Sequence, residues 1–314
     1  ITLLFTNIFT LSNANTIKIA VLKYGSVNWE YDVIKHHELD KKNNIKIKKI
    51  EVTNKDASTV AFLSKSVDIF VTDWIWVSKQ RNQGNLVSFL PYSNSSGGLM
   101  LKKNNKINIF LDLKNKKIGI AGGSLDKSWL FLRAYGIKKY EKDPLTFFKT
   151  SFAAPPLING LLRNNQLDAG FNYWNYTARL EAQGYEEFIN LNEILPFIGI
   201  EGELPLIGYV FRDTFVKQNE PMFNGFIKAS NQARQILKDS NKEWNRIAKM
   251  TGANDQNMLE KIRDNFRKGI PSNNHRLMKK NIKNAYNILS KIGGEDLVGN
   301  SDSLSPGTYW KEIK

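Results

Sequence analysis

From Ile17 onward, apolar strand-like runs and amphipathic helix-like runs alternate, and this alternation constrains the fold more than any other feature of the chain. "IKIAVLKYG" reads as a buried strand closed by Gly25. "NWEYDVIKHHELDKKN" reads as a helix from Asn28 to Asn43, with Trp29, Val33 and His37 on one face and Ile34 close by. "IKIKKIEVT" alternates apolar and polar residues, as a half-buried strand does. "DASTVAFLSKS" predicts a helix with Asp56 or Ser58 near its cap, and "VDIFVTD" a strand. "WIWVSKQRNQG" predicts a helix stopped by Gly84, and "LVSFLPYS" another strand. Strands separated by helices predict a mostly parallel sheet with helices on its faces. At 314 residues the chain is longer than one core usually serves, so two lobes are expected.

"NSSGG", residues 94–98, marks a crossover into a second unit of similar style. That unit holds the strand "LMLKKNN", a short helix, a strand over 117–121, and the helix "SLDKSWLFLRAYGI" ending near Gly136. "LTFFKTSFA" predicts a strand; a helix from Pro156 to Asn164 and a strand over 169–173 follow. The chain returns to its first lobe near "GELPLIGYVF", and the remainder has helical periodicity with Gly or Pro at its boundaries.

Composition removes several function classes. The absence of cysteine excludes disulfides, thiol catalysis and Cys-ligated metals. The net charge of +15 is spread through Lys/Asn-rich stretches such as "KKNNIKIKKI", which speaks against a nucleic-acid reader and leaves an acidic protein or anionic surface as a partner. No segment reaches the roughly 18 apolar residues of a membrane span. "ITLLFTNIFTLSNANT" has the apolar run and small residues of the end of a secretion signal, so residues 1–14 are expected to be its remnant and the protein to be exported. Enzyme signals are thin. Adjacent His36 and His37 should face different sides of their helix and make a poor metal pair. No nucleophile elbow, Walker loop or cofactor motif appears, and neither metal nor cofactor is expected.

Three segments carry a family resemblance: "VDIFVTDWIWVSKQRNQG", "LKNKKIGIAGGSLDKSWL" and "GLLRNNQLDAGFNYW". With the opening "IKIAVLKYGS", they make the chain resemble the solute-binding proteins of bacterial ABC importers, from Ile17 to about Gly293. The branch it resembles carries nitrate, taurine, alkanesulfonates and pyrimidine thiamine precursors. Asn115 and Asn165 stand where the family pattern has glycine, and Trp74-Ile75-Trp76 is heavier than its small residues. The resemblance implies a type II periplasmic-binding-protein fold, with two α/β lobes, each a mostly parallel sheet flanked by helices, joined by two crossover strands. Lobe 1 would comprise 15–96 and 203–314, and lobe 2 would comprise 97–202. It also implies a monomer in the periplasm, a small-molecule ligand held by hinge closure, and membrane permease subunits as partners.

The candidate site follows from the strand ends. A strand running into Gly122-Gly123-Ser124 and then a helix presents free N–H groups at a positive helix end, suited to a carboxylate, sulfonate, nitrate or phosphate. Ser124 would cap that helix or bind the ligand; the same residues would serve equally as a tight turn. Lys127 adds a positive charge there, and Asp126 reads as first-turn stabilisation. Trp29, Trp74, Trp76, Trp129, Tyr173 and Trp174 lie at strand-to-helix junctions, where open parallel sheets face their ligands, and two or three should touch one. Asp73 and Asn172 are the polar partners of such a ring, or local turn caps. Asn94, Ser95 and Ser96 line the cleft or form a hydrated hinge. Two rival readings keep the fold: an accessory protein docking on an acidic periplasmic enzyme, and an enzyme of pyrimidine biosynthesis.

Overall fold

A computed structural model describes residues 16–272, 274–301 and 303–310; the expected signal remnant lies outside them. The strands are β1 (Thr16–Leu22), β2 (Lys46–Val52), β3 (Ile69–Thr72), β4 (Val87–Ser93), β5 (Gly98–Leu101), β6 (Lys117–Ala121), β7 (Lys149–Ala153), β8 (Ala169–Asn172), β9 (Glu186–Asn190) and β10 (Ile207–Arg212). The helices are α1 (Val27–His36), α2 (Leu39–Lys42), α3 (Lys55–Leu63), α4 (Trp74–Asn82), α5 (Lys127–Tyr140), α6 (Pro144–Phe147), α7 (Pro155–Arg163), α8 (Trp174–Ala182), α9 (Leu191–Phe197), α10 (Asp213–Gln218), α11 (Glu220–Asp239), α12 (Asn241–Thr251), α13 (Gln256–Lys268) and α14 (His275–Val298). Among the described residues no helix is long and apolar enough to cross a membrane.

The strands form two five-stranded mixed sheets, ordered β2-β1-β3-β10-β4 and β7-β6-β8-β5-β9. Parallel pairing holds where helices intervene, as between β1 and β2 and between β6 and both β7 and β8. The later strands depart from the expected parallel order: β10 runs antiparallel to β4, and β5 antiparallel to both β8 and β9. The cause is the connections. Only 94–97 separate β4 from β5, too short for a helical crossover, so the chain passes from one sheet to the other there. It returns through 198–206, between α9 and β10.

By its internal contacts the chain divides into two units, one running up to Phe70 and including Thr214–Ile236, the other comprising Val71–Asp213 and the chain from Leu237. In the first unit, Ile17, Ile19 and Val21 of β1 are buried with Ile47, Phe62, Ile69 and Val33. Buried Glu30 accepts a hydrogen bond from Ser230 Oγ at 2.5 Å. The predicted helix over 28–43 is broken here: α1 ends at His36, and Glu38 adopts a left-handed φ of 52° before α2. His37 therefore lies outside the helix, and its ring meets that of His36 edge-on at 4.8 Å rather than facing away from it. The cap of α3 is Asn54, whose side chain accepts from Ala57 N, and not Asp56 or Ser58.

In the second unit, Leu99, Met100, Leu101, Ile118, Ile120 and Phe171 of the second sheet are buried. Gly136 does not end α5. A Cβ there would stand 2.7 Å from Pro144 Cδ and 2.8 Å from Lys142 O, so this glycine admits α6 against the helix, which continues to Tyr140. The strand expected from Leu145 starts only at Lys149, because Asp143 caps α6 first. Asn115 and Asn165 have φ of 61° and 56°; these positions need left-handed backbone, which asparagine tolerates better than any other residue with a long or branched side chain.

Candidate functional site

Three strands of parallel type end at junctions rich in polar and aromatic side chains. β3 gives way to Asp73 and α4, β6 to the 122–126 turn and α5, and β8 to Tyr173 and α8. Carboxyl ends of strands are where this class of sheet meets its ligands. The cluster described below belongs to the second unit throughout.

Asp73 is the N-cap of α4: its Oδ1 accepts from Trp76 N at 2.9 Å. Its Oδ2 accepts from Lys127 Nζ at 2.8 Å, with the two side chains 8% and 15% exposed. The ion pair therefore fastens the junction after β3 to the first residue of α5. The sequence placed Lys127 only at a helix start; no spacing in the chain shows that it reaches Asp73, 54 residues away.

The Gly-Gly-Ser segment makes the tight turn that its composition allows. The N-cap of α5 is Asp126, not Ser124; Asp126 Oδ1 accepts from Ser128 N at 2.9 Å and Trp129 N at 3.4 Å. Gly123, Ser124 and Leu125 form an exposed turn closed by Asp126 N donating to Gly123 O. A carboxylate thus occupies the helix end that would otherwise attract an anion. Asp126 Oδ2 accepts from Tyr173 Oη at 3.0 Å. Burial, the Asp126 carboxylate and the Asp73 charge together push the Tyr173 phenol far above the usual tyrosine range, so it remains a neutral donor. Gly122 makes this contact possible: its φ is +87°, and a Cβ would lie 2.7 Å from Tyr173 Oη and 3.2 Å from Asp126 Oδ2.

Asn172 is fully enclosed. Its Nδ2 donates to Pro155 O and Asn159 Oδ1, and its Oδ1 accepts from Tyr173 N. These bonds use both amide hydrogens, so Asn172 holds the junction in place. The crossover presses on the same junction. A Cβ on Gly97 would stand 1.6 Å from Asn172 O, so only glycine permits this approach. Asn94 N donates to Gly269 O at 2.8 Å, and Ser95 packs against Gly269, so the crossover is clamped to the end of α13.

The aromatics separate. Trp74 is fully buried and donates Nε1 to Pro205 O at 2.8 Å. Trp129 is fully buried beside Phe148 and Phe152. Trp29 is buried in the first unit. Trp76 and Trp174 are half-buried, with the Trp174 ring 6.2 Å from Phe266. The structure thus gathers Asp73, Gly122, Asp126, Lys127 and Tyr173, and places Trp74 and Trp129 in packed surroundings. A cavity of about 670 Å³ lies elsewhere, lined by residues that include Lys42, Asn43, Pro221 and Lys228 of the first unit.

Residues 41–243 match the family model described as NMT1/THI5 like. No curated protein matches the sequence of the chain. Among solved structures the chain is similar to the periplasmic aliphatic sulphonate binding protein SsuA of Escherichia coli, with TM-score 0.74 and 16% identity, covering 96% of this chain and 93% of that one. It is also similar to the alkanesulfonate-binding protein SsuA of Xanthomonas axonopodis pv. citri bound to MOPS, with TM-score 0.70, 14% identity and coverages of 95% and 99%. An ABC transporter structure from Parabacteroides distasonis gives TM-score 0.71, 12% identity and coverages of 95% and 100%. At these identities the likeness establishes the two-lobed binding-protein fold.

Proposed function

We propose, from the premise that this chain belongs to the NMT1/THI5-like family, that it is the periplasmic solute-binding component of an ABC-type import system. One observation carries the reading: in a fold shared with periplasmic binding proteins, Asp73, Lys127, Asp126 and Tyr173 converge at three strand ends. The ligand is a small molecule with an anionic or planar group, such as a sulfonate, nitrate, carboxylate or pyrimidine. Two similar structures are named for sulfonates, and Lys127 is the cation that would meet such a group. Half-buried Trp76 and Trp174 would receive an apolar or planar end.

The mechanism is a population shift between open and closed forms of the lobes 15–96 with 203–314 and 97–202. In that division Asp73 belongs to the first lobe and Lys127 to the second, although both fall within one contact unit, and their pairing leaves the Lys127 charge within reach of an entering anion. An anion exchanges for Asp73 as the partner of Lys127. The closed, loaded form would then dock on membrane subunits.

The decisive experiment is native mass spectrometry of the purified protein, followed by thermal-shift titration with ethanesulfonate, taurine, nitrate and an aminopyrimidine. A retained small molecule, or a rise in melting temperature that Lys127→Ala abolishes, is the expected result. An empty protein whose melting temperature none of these moves would sink the proposal.

A further inference from the structure

The exposed face of α14 carries a charge pattern that the ligand site does not use. Between His275 and Gly294 the helix has five Lys or Arg residues and no Asp or Glu. Arg276, Lys280, Lys283, Asn287 and Lys291 are all exposed and recur at three- or four-residue spacing, so they form one stripe. At ~1.5 Å per residue the stripe is about 22 Å long. Among the described residues none of its four cations is in an ion pair.

Beside the stripe runs a groove of about 210 Å³ in the same unit, where α14 meets the end of α5. Its floor is Ala134, Ile137, Ile198, Ile288 and Ile292, and its rims carry Lys138 and Lys291. Ile137 is 39% exposed although it is a large apolar residue. The groove is braced. Arg133 donates to Ile292 O at 3.4 Å and makes two hydrogen bonds to Asp143, tying α5 to α14 where Gly294 kinks the helix. Lys138 and Lys139 lie over the Phe197 ring at the groove's edge. The exposed acids nearby are Glu141 at the end of α5, Glu201, whose carbonyl accepts from Asn281 of α14 at 2.7 Å, and Glu295 and Asp296 beyond the kink; none of them lines the groove, whose charged residues are both lysines.

We infer that this groove is a docking surface for an acidic, amphipathic segment of a partner protein. Charge complementarity selects an acidic partner, because the rims and the adjoining stripe are cationic and lack counter-charges. The apolar floor is recessed between basic ridges. An occupant must therefore project an apolar side chain inward while its acids meet the lysines, as a helix laid in a groove does. A flat anionic bilayer presents no such projection. The surface lies away from Asp73 and Lys127, so the inference stands independently of the proposed ligand.

The test uses fluorescence anisotropy of a labelled Glu-rich helical peptide with leucines at i, i+3 and i+7, titrated with the full-length protein. K138E/K291E should weaken binding at least tenfold, and I137Q several-fold at unchanged charge. The control K46E/K48E, reversing two exposed lysines on β2, should change it less than twofold. Circular dichroism checks that each variant is folded. Equal loss in the control would show that net charge alone drives binding and would overturn the inference. No effect of I137Q would overturn the groove as the seat. If K138E/K291E abolished binding to phosphatidylglycerol vesicles but left the peptide bound, the surface would be a membrane contact and not a protein one.

Discussion

The segments 55–84 and 155–184 follow the same plan at an offset of one hundred residues. Helix α3 (Lys55–Leu63), strand β3 and helix α4 match α7, β8 and α8 in length and position. Asp68 and Asp168 each accept a backbone N–H from the neighbouring strand, from Lys18 at 2.8 Å and Lys117 at 2.7 Å. Lys65 and Asn165 share a left-handed turn, as do Gly84 and Gly184. The frame is shared and the chemistry is not. At the paired cap positions stand Asp73, a carboxylate facing Lys127, and Tyr173, a neutral donor facing Asp126. The paired Trp74 and Trp174 divide into a fully buried, hydrogen-bonded residue and a half-buried one. Backbone requirements at these junctions are strict, while the side chain at the junction is free to carry function.

The tryptophans give the sharpest test of this contrast. Trp74→Ala removes a fully buried ring and orphans Pro205 O, and should cost about 3–5 kcal/mol by chemical denaturation. Trp174→Ala should cost well under half of that; equal losses would break the distinction. Gly97→Ala forces a Cβ into Asn172 O and should cost about 3 kcal/mol, more than the glycines of the shared turns. Tyr173→Phe and Asp73→Asn should each cost about 1–2 kcal/mol, for opposite reasons: one loses a neutral donor, the other a charge while keeping its cap. Gly84→Ala and Gly184→Ala meet no neighbouring atom, so each should cost only about 1 kcal/mol, through positive φ, and the two costs should agree. Disagreement between them would show that the turns are not equivalent.

The smallest effect is in pH. The Tyr173 phenol is raised in the folded protein, so its contribution is fully present below the unfolded value of 10.0. It is lost as pH rises beyond that, because the unfolded chain ionises first. Wild type should therefore lose stability above pH 10 more steeply than Tyr173→Phe, with urea midpoints as the readout.

The site was legible in the sequence only in part. Strand and helix periods mark the junctions, and Asp73, Tyr173 and Gly122 stand at them. Lys127 and Asp126 look like ordinary first-turn residues, and only the 2.8 Å and 3.0 Å contacts to Asp73 and Tyr173 give them a further role. The sequence offers Ser124 as a cap or a ligand contact; the chain takes a further turn, and Asp126 two residues on does the capping. Asn172 reads as a ligand partner or a local turn cap; its Oδ1 accepts from the next residue's N–H, and tertiary bonds to Pro155 and Asn159 take up its amide hydrogens.

By itself the sequence determined the alternation of strands and helices, the turns at Gly84, Asn115 and Asn165, and the basic, cysteine-free composition. Those depend on local periodicity, backbone sterics and composition, which need no distant partner. Tertiary structure decided the antiparallel strands, the burial of Trp74 and Trp129, the necessity of Gly97 and the ion pair between Asp73 and Lys127. Each of these depends on groups brought together from distant positions, and no local pattern encodes such a distance.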